Sequence, residues 1–212
     1  MSPTLLRRFY GSLLLFVLLV LAARPAQATH ALGGEMSYRY LDANGPAGQP
    51  FRYEVTVTLY INALPQAAGY PNVAQIDLFN RISSGAPGAR ITTIALPRIG
   101  PTPQPIQPNV PAGCAVTGPS QPFFLVKYQQ TINLPVSFDG YYAVYTLGNR
   151  NAGIDNIANS SNFPMTLYVS MAPPLILNRS PVFSDTAVAI VCQNDTTITL
   201  NNAVDPDGDR LV

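Results

Sequence analysis

Near the C-terminal end three carboxylates stand at every second position, Asp205, Asp207 and Asp209, around a turn made by Pro206 and Gly208. Carboxylates at this spacing can aim their oxygens at one hard cation, and Ca²⁺ takes about six to eight oxygen ligands. The run departs from an EF-hand loop, having neither the glycine at the sixth position nor the distal glutamate. Two readings stand: a Ca²⁺ site built on Asp205, Asp207 and Asp209 and completed by ligands beyond Val212, or a solvated acidic turn. Apart from this Ca²⁺, no cofactor is expected.

Other reactive residue types are sparse. His30 is the sole histidine. It would chelate Cu²⁺ or Ni²⁺ only if export processing placed it third from a free amino terminus, and it is otherwise a structural residue of the first strand. A Ser-His-Asp mechanism would depend on that one histidine, with no nucleophile motif beside it. Glu35 and Glu54 are the only glutamates. They could form a glycosidase pair if neighbouring strands brought them together, although Glu54 falls on the polar face of its strand. Asp155 with Arg150 reads as a loop ion pair. No catalytic residue is therefore expected, and the chain reads as a non-enzyme.

The elements that would hold these residues are strands. In residues 51–62, Phe51, Tyr53, Val55, Val57, Leu59 and Ile61 share one face while Arg52, Glu54, Thr56, Thr58, Tyr60 and Asn62 share the other. That alternation predicts a half-buried antiparallel strand. Runs of the same kind occur at 35–41, 75–81, 90–96, 123–134, 141–147 and 165–171. Seven runs separated by Gly, Pro and Asn clusters predict an all-β, antiparallel β-sandwich. No apolar stripe of 3.6-residue period follows residue 28, so helix content should be low. Within 141–147, Tyr141 and Tyr145 share one face and Tyr142 takes the other. Exposed, coplanar tyrosines would suit sugar rings, whereas tyrosine is also a common half-buried strand residue, and core packing is the preferred reading.

Residues 97–122 hold eight of the 21 prolines. Lacking amide donors, they predict a long surface loop of extended polyproline character, a stiff connection or a recognition loop. A boundary is expected after Ala172-Pro173-Pro174. Residues 29–177 carry enough strands to close one core, while residues 178–212 are far fewer than the roughly 100 of an immunoglobulin-like sandwich. They read as the incomplete start of an Ig-like or PKD-like repeat, which makes the chain the N-terminal part of a longer multi-domain protein.

Export is written at the other end. Arg7 and Arg8 precede an unbroken apolar run at residues 13–23, and Ala26-Gln27-Ala28 is a small-residue cleavage site. Eleven helical residues span only about 16 Å, against about 30 Å of hydrocarbon, so residues 1–28 predict a signal peptide cleaved near Ala28 and not an anchor. No later run reaches membrane length, and the mature chain is expected to be secreted or displayed on the outer cell surface. Cleavage removes Arg7, Arg8 and Arg24 and no acid, leaving nine basic and eleven acidic residues, so the net charge moves from +1 to −2. That excludes a generally basic nucleic-acid binder. Cys114 and Cys192, the only cysteines, either pair with each other after export, or stay unpaired and buried, or pair with cysteines outside this sequence. Three Asn-X-Ser/Thr triplets, at Asn159, Asn178 and Asn194, read as incidental.

The segment Thr29-His30-Ala31-Leu32-Gly33-Gly34-Glu35-Met36-Ser37-Tyr38, followed by Tyr53-Glu54-Val55-Thr56-Val57-Thr58-Leu59-Tyr60, resembles the amino-terminal region of large exported Bacteroidota surface proteins. Further motifs follow in the same order: Asn149-Arg150-Asn151-Ala152-Gly153-Ile154-Asp155-Asn156-Ile157, Ser180-Pro181-Val182-Phe183, Ile190-Val191-Cys192 and Asp205-Pro206-Asp207-Gly208-Asp209. The resemblance covers nearly the whole mature chain. It implies a protein with PKD or Ig-like repeats and a gliding-motility-associated or type IX secretion sorting domain, working in adhesion or motility. The family often places cysteine after the first long strand and a cysteine pair before the Arg-Asn motif. Here Ile61-Asn62-Ala63 and Leu147-Gly148-Asn149 stand at those places, so no disulfide pattern carries over.

The expected function is a non-enzymatic exported surface module, for adhesion or gliding motility, that binds an extracellular protein or polysaccharide. The alternative is a carbohydrate-binding accessory module of a secreted polysaccharide-degrading enzyme. Exposed coplanar tyrosines would favour the alternative, and burial of Tyr141 and Tyr145 would count against it.

Overall fold

Alternation becomes strand wherever one face can be buried. A computed structural model of the protein describes residues 31–64, 69–108, 122–148, 150, 151, 154, 156–183 and 203–211. Residues 1–28, predicted as a signal peptide, and His30, Cys114, Cys192 and Asp155 lie outside the described residues. Seven long strands run in chain order as β1 (Ala31–Asp42), β2 (Phe51–Asn62), β3 (Val73–Arg81), β4 (Pro87–Ile99), β5 (Phe123–Leu134), β6 (Tyr141–Leu147) and β7 (Met165–Met171). Two short ones follow, β8 (Val182–Phe183) and β9 (Ala203–Val204). The only helical element among the described residues is the 3₁₀ turn Ser160–Asn162. None of their helices is long and apolar enough to cross a membrane.

The fold is all-β and antiparallel, as the alternation predicts. Four of the predicted strands, β2, β5, β6 and β7, have the bounds that alternation assigns. The seven strands lie in the order β1-β2-β5-β4-β3-β6-β7. Strands β3, β4 and β5 are neighbours in chain order and β6 returns beside β3, a Greek-key arrangement. Strand β4 belongs to both halves: Val73 to Arg81 of β3 pair with its residues 87–97, while its Arg98 and Ile99 pair with Tyr128 and Lys127 of β5. The sheet turns over along β4 and its two ends meet. A Cβ placed on Gly34 of β1 would lie 2.9 Å from Leu167 Cδ1 of β7 and 2.8 Å from the Thr58 carbonyl oxygen, so the approach needs glycine.

The enclosed core is built from the alternate residues of both halves. Val55, Val57, Leu59 and Ile61 of β2 and Val126 and Tyr128 of β5 face Ala74, Ile76 and Leu78 of β3, Tyr141, Ala143 and Tyr145 of β6, and Met171 of β7, in one buried cluster. Tyrosine fits such a core when its hydroxyl finds an acceptor. Tyr128 donates to the Pro71 carbonyl at 2.6 Å, and Tyr141 donates to the Pro135 carbonyl. Tyr53 differs: its hydroxyl is buried without a hydrogen-bond partner among the described residues. An unmade buried hydrogen bond costs about 1–3 kcal/mol. Tyr53→Phe is therefore expected to leave stability unchanged or raise it by about 1 kcal/mol, while Tyr128→Phe, which orphans the Pro71 carbonyl, lowers it by about 1–2 kcal/mol. Urea unfolding of the two variants checks the contrast, and equal losses in both would refute it.

The proline-rich connection is shorter than predicted. Pro97 to Ile99 belong to β4, where they bridge from one partner strand to the other, and the loop begins at Gly100, with a positive φ of 80°. Ile106 then makes a two-way backbone bridge with Phe123, and residues 109–121 lie outside the described residues. After β7 the chain turns back along the free edge of β1. Ser180 N–H donates to the Tyr38 carbonyl at 3.0 Å and Tyr38 N–H donates to Ser180 Oγ at 2.9 Å. Asn178 Nδ2 donates to Tyr38 Oη at 2.8 Å. These bonds cover part of an edge that would otherwise offer unpaired backbone groups. Strands β8 and β9 pair only with each other.

Candidate functional site

Each half of the folded sheet has an outer face, and the two are treated differently by the chain itself. On the β1-β2-β5 half, register sets cross-strand rows of polar residues: Glu35, Thr58 and Lys127, then Ser37, Thr56 and Gln129, then Arg39, Glu54 and Thr131. Residues 181–183 lie over the first two rows and close a pocket of about 150 Å³ containing Glu35, Thr58 and Lys127. Burial pushes the Glu35 carboxyl above its ordinary value, with Lys127 and the Thr58 hydroxyl pulling the other way. Part of this face is thus covered by the protein's own C-terminal segment, and a second pocket of about 330 Å³ lies beside it between Arg39, Glu54, Thr56 and Arg179.

On the β4-β3-β6-β7 half no such cover over the tyrosines is formed by the described residues. One row reads Thr93, Asp77, Val144 and Tyr168 across the four strands, and the next reads Arg90, Phe79, Tyr142 and Ser170. Tyr142 and Tyr168 come from the diagonal of the β6-β7 hairpin, and their rings stack with centroids 5.3 Å apart and planes 15° apart. Tyr168 is 63% exposed. Because Tyr142 covers one face of its ring, that exposure must come largely from the other. Burial, with a smaller effect from Tyr168, raises the Tyr142 hydroxyl above its ordinary value.

Two strands away, about 10 Å between Cα atoms at ordinary strand spacing, stands a fixed polar group. Asp77 Oδ1 accepts from the Thr93 hydroxyl and, at 3.2 Å, from Arg90 Nη1, and Arg90 Nη1 also donates to Thr93 Oγ1 at 3.3 Å. The Thr93 hydroxyl, above all, holds the Asp77 carboxyl below its usual value; burial opposes it, and Arg90 adds to the lowering. Half-buried Val144 lies between Asp77 and Tyr168. This outer face thus carries an exposed aromatic pair on β6 and β7 and an ordered polar network on β3 and β4.

The residues singled out from sequence fall elsewhere. Tyr141 and Tyr145 are buried in the core, as preferred. Glu35 and Glu54 do share one sheet face, but Glu35 lies opposite Thr58 and Glu54 opposite Arg39, four residues along the strands. That is about 13 Å, beyond the roughly 5–9.5 Å of glycosidase carboxylates, and Glu54 Oε1 is bound by Arg39 Nη2 at 3.0 Å. Arg150 Nε donates to the Pro164 carbonyl at 3.0 Å. The acidic turn forms: Asp205 Oδ1 accepts from the Asp207 amide at 2.8 Å and the Asp209 amide at 3.4 Å, and Gly208 takes a φ of 83°. Asp207, however, points back to residue 179, accepting from the Arg179 amide at 2.6 Å and facing its Nε at 3.5 Å. In this arrangement Asp205, Asp207 and Asp209 do not converge, and no group of three His, Cys, Asp or Glu among the described residues does.

Sequence reasoning missed Tyr168, Asp77, Arg90 and Thr93. Tyr168 was visible as an outward residue of β7, but its partner Tyr142 lies 26 positions away and only the hairpin register joins them. Comparison of the chain with protein-family models, curated proteins and solved structures finds no match.

Proposed function

We propose that the protein is a non-enzymatic binding module, exported to the cell surface or the medium, which takes its ligand on the outer face of the β4-β3-β6-β7 sheet. The observation that carries the reading is the asymmetry of the two faces. One is partly covered by residues 181–183, while the other presents an exposed tyrosine ring beside an ordered Asp77–Arg90–Thr93 network. Binding sites combine apolar and aromatic surface with a few fixed polar groups, and that combination occurs on this face. The signal sequence and the resemblance to exported Bacteroidota surface proteins support adhesion or gliding motility as the setting.

A second reading, the accessory module of a polysaccharide-degrading enzyme, gains from the Tyr142–Tyr168 stack and loses from the burial of Tyr141 and Tyr145. The test of the leading reading is localisation and capture together. N-terminal sequencing of the protein recovered from the producing organism is expected to begin near Thr29, in the medium or on protease-accessible surface. Purified mature protein is expected to adhere to intact cells or extracellular matrix of that organism, and Tyr168→Ala to abolish most of the adhesion. An intact residue 1–28 on protein confined to the cytoplasm would refute export, and adhesion unaffected by Tyr168→Ala would refute the assigned face.

A further inference from the structure

We infer that one end of the sandwich inserts into the surface of a lipid bilayer, through apolar side chains carried on three adjoining turns. Gly140 marks where the turns meet. Its carbonyl accepts from the Arg81 amide at 3.1 Å, and a Cβ built on it would lie 2.9 Å from the Ala172 carbonyl carbon and 3.0 Å from the Pro173 nitrogen. The β3–β4 turn, the β5–β6 turn and the chain leaving β7 are therefore neighbours at this end. From them project Ile82, Val136, Phe138, Leu175, Ile176 and Leu177, all exposed. Phe138 is 83% exposed, Leu177 73% and Leu175 69%. Single exposed apolar residues are ordinary on a protein surface, but a group gathered on touching turns marks a protein or membrane contact.

Lipid fits this end better than a protein partner does. Residues 82–86, 135–140 and 172–178 contain one charged side chain, Asp139. A specific protein interface is read through about one hydrogen bond per 100–200 Å² and a polar rim, whereas a fluid bilayer accepts apolar groups on separate turn tips without a matching shape. Behind the tips sits Arg81, whose guanidinium lies against the β3–β4 turn: a Cβ on Gly85 would be 3.5 Å from its Nη2. An arginine at that depth can reach headgroup phosphates while its stem and the apolar tips go deeper. The described chain beyond the patch does not cover it. Residues 178–180 run back along β1 and residues 181–183 reach Glu35, away from these turns. With nine basic and eleven acidic residues after export, the protein has no net attraction to anionic lipid, so burial of the apolar side chains drives the contact. Such side chains reach only the interfacial zone, about 5–10 Å deep, which makes the attachment peripheral and reversible.

The chain has no tryptophan, so one placed in the patch reports on that patch alone. Mature Phe138→Trp is expected to float with phosphatidylcholine vesicles, to shift its emission to the blue when they are added, and to be quenched by brominated acyl chains. Phe163→Trp is the control, since Phe163 is exposed at the opposite end, just before β7 begins. It should show neither shift nor quenching. Phe138→Ser is expected to weaken vesicle partition about tenfold or more, the scale of burying one large apolar side chain, and the double variant Leu175→Ser, Leu177→Ser at least as much. Partition should survive about 1 M NaCl, which screens electrostatic attachment. Melting temperatures confirm that each variant is folded. An unshifted emission at position 138, an equal shift at position 163, or vesicle binding that Phe138→Ser leaves intact overturns the inference. A concentration-dependent dimer that Phe138→Ser dissociates, in a protein that does not bind vesicles, overturns it too, because a second copy would then cover this end. Either result leaves the ligand face to its own test, since that face is built on strands and not on these turns.

Discussion

Raising the pH above about 10 is expected to unfold the protein over a narrow range, ending near pH 12. Four core tyrosines are responsible. Burial pushes the hydroxyls of Tyr141 and Tyr145 up to about 12, and burial together with neighbouring tyrosines pushes those of Tyr53 and Tyr128 higher still. In the unfolded chain tyrosine ionises at about 10. Below that pH both states hold the proton and the shift has no effect. Above it the unfolded state releases protons that the folded state retains, so stability falls as pH rises until the folded values are reached. Each such tyrosine contributes a slope of about 1.4 kcal/mol per pH unit, and four together about 5 kcal/mol per unit. A domain's whole stability is about 5–15 kcal/mol, so one to two units suffice. Urea unfolding at pH 8, 10 and 11, with tyrosinate absorbance followed in parallel, checks the result. Ionisation of all ten tyrosines of residues 29–212 ahead of any loss of β structure would show that these hydroxyls are not held by the core.

The same tyrosines mark the limit of what sequence discloses. Period-two alternation located β2, β5, β6 and β7 because each buries every second side chain against the core, and a buried face leaves a periodic trace. Strand β4 left a weaker one. Most of its residues from Pro87 to Thr93 are exposed, so polar residues occupy both faces and the strand's first residues go unrecognised. Its last three were mistaken for loop because Pro97 reads as a strand breaker. Yet Pro97 stands where β4 passes from β3 to β5, and the next amide, that of Arg98, donates to the Asn72 carbonyl at 3.3 Å. The sheet can tolerate a missing donor at that changeover.

Function was less legible than fold because its residues are joined by register and not by proximity in the chain. Asp77 meets Thr93 across one hairpin, and Tyr142 meets Tyr168 across another. Each residue taken alone is an ordinary outward strand residue. The acidic turn is the reverse case. Its local geometry follows from Asp, Pro and Gly, and the turn forms around Asp205 as the spacing suggests. Which groups its carboxylates face depends on Arg179, brought there by the return of the chain along β1. Local patterns fix local conformation, while the partner of a charged group is a property of the tertiary path.

A single methyl group at Gly140 should test that path severely. Gly140 joins β5 to β6 at a φ of 86°, a region costly to side-chain-bearing residues. Its carbonyl accepts from Arg81 N–H at 3.1 Å and from the Ser137 hydroxyl at 2.9 Å, which ties the turn to the end of β3. A Cβ at this position would lie 2.1 Å from the Met171 carbonyl oxygen and 2.9 Å from the Ala172 carbonyl carbon. Both are backbone atoms at the end of β7, so no rotamer change relieves the overlap. Gly140→Ala must displace either the turn or the end of β7, and it is expected to cost about 3 kcal/mol or more, the sum of left-handed strain and lost packing. Gly48 supplies the control: its φ is 84°, but a Cβ there meets nothing within 4 Å. Gly48→Ala should therefore show the strain alone, about 1 kcal/mol. For a chain of this size the two would differ in melting temperature by roughly 4–8 °C. Equal losses at the two glycines would mean that Gly140 does not press against the end of β7, and that the β5–β6 turn is seated differently on the sandwich.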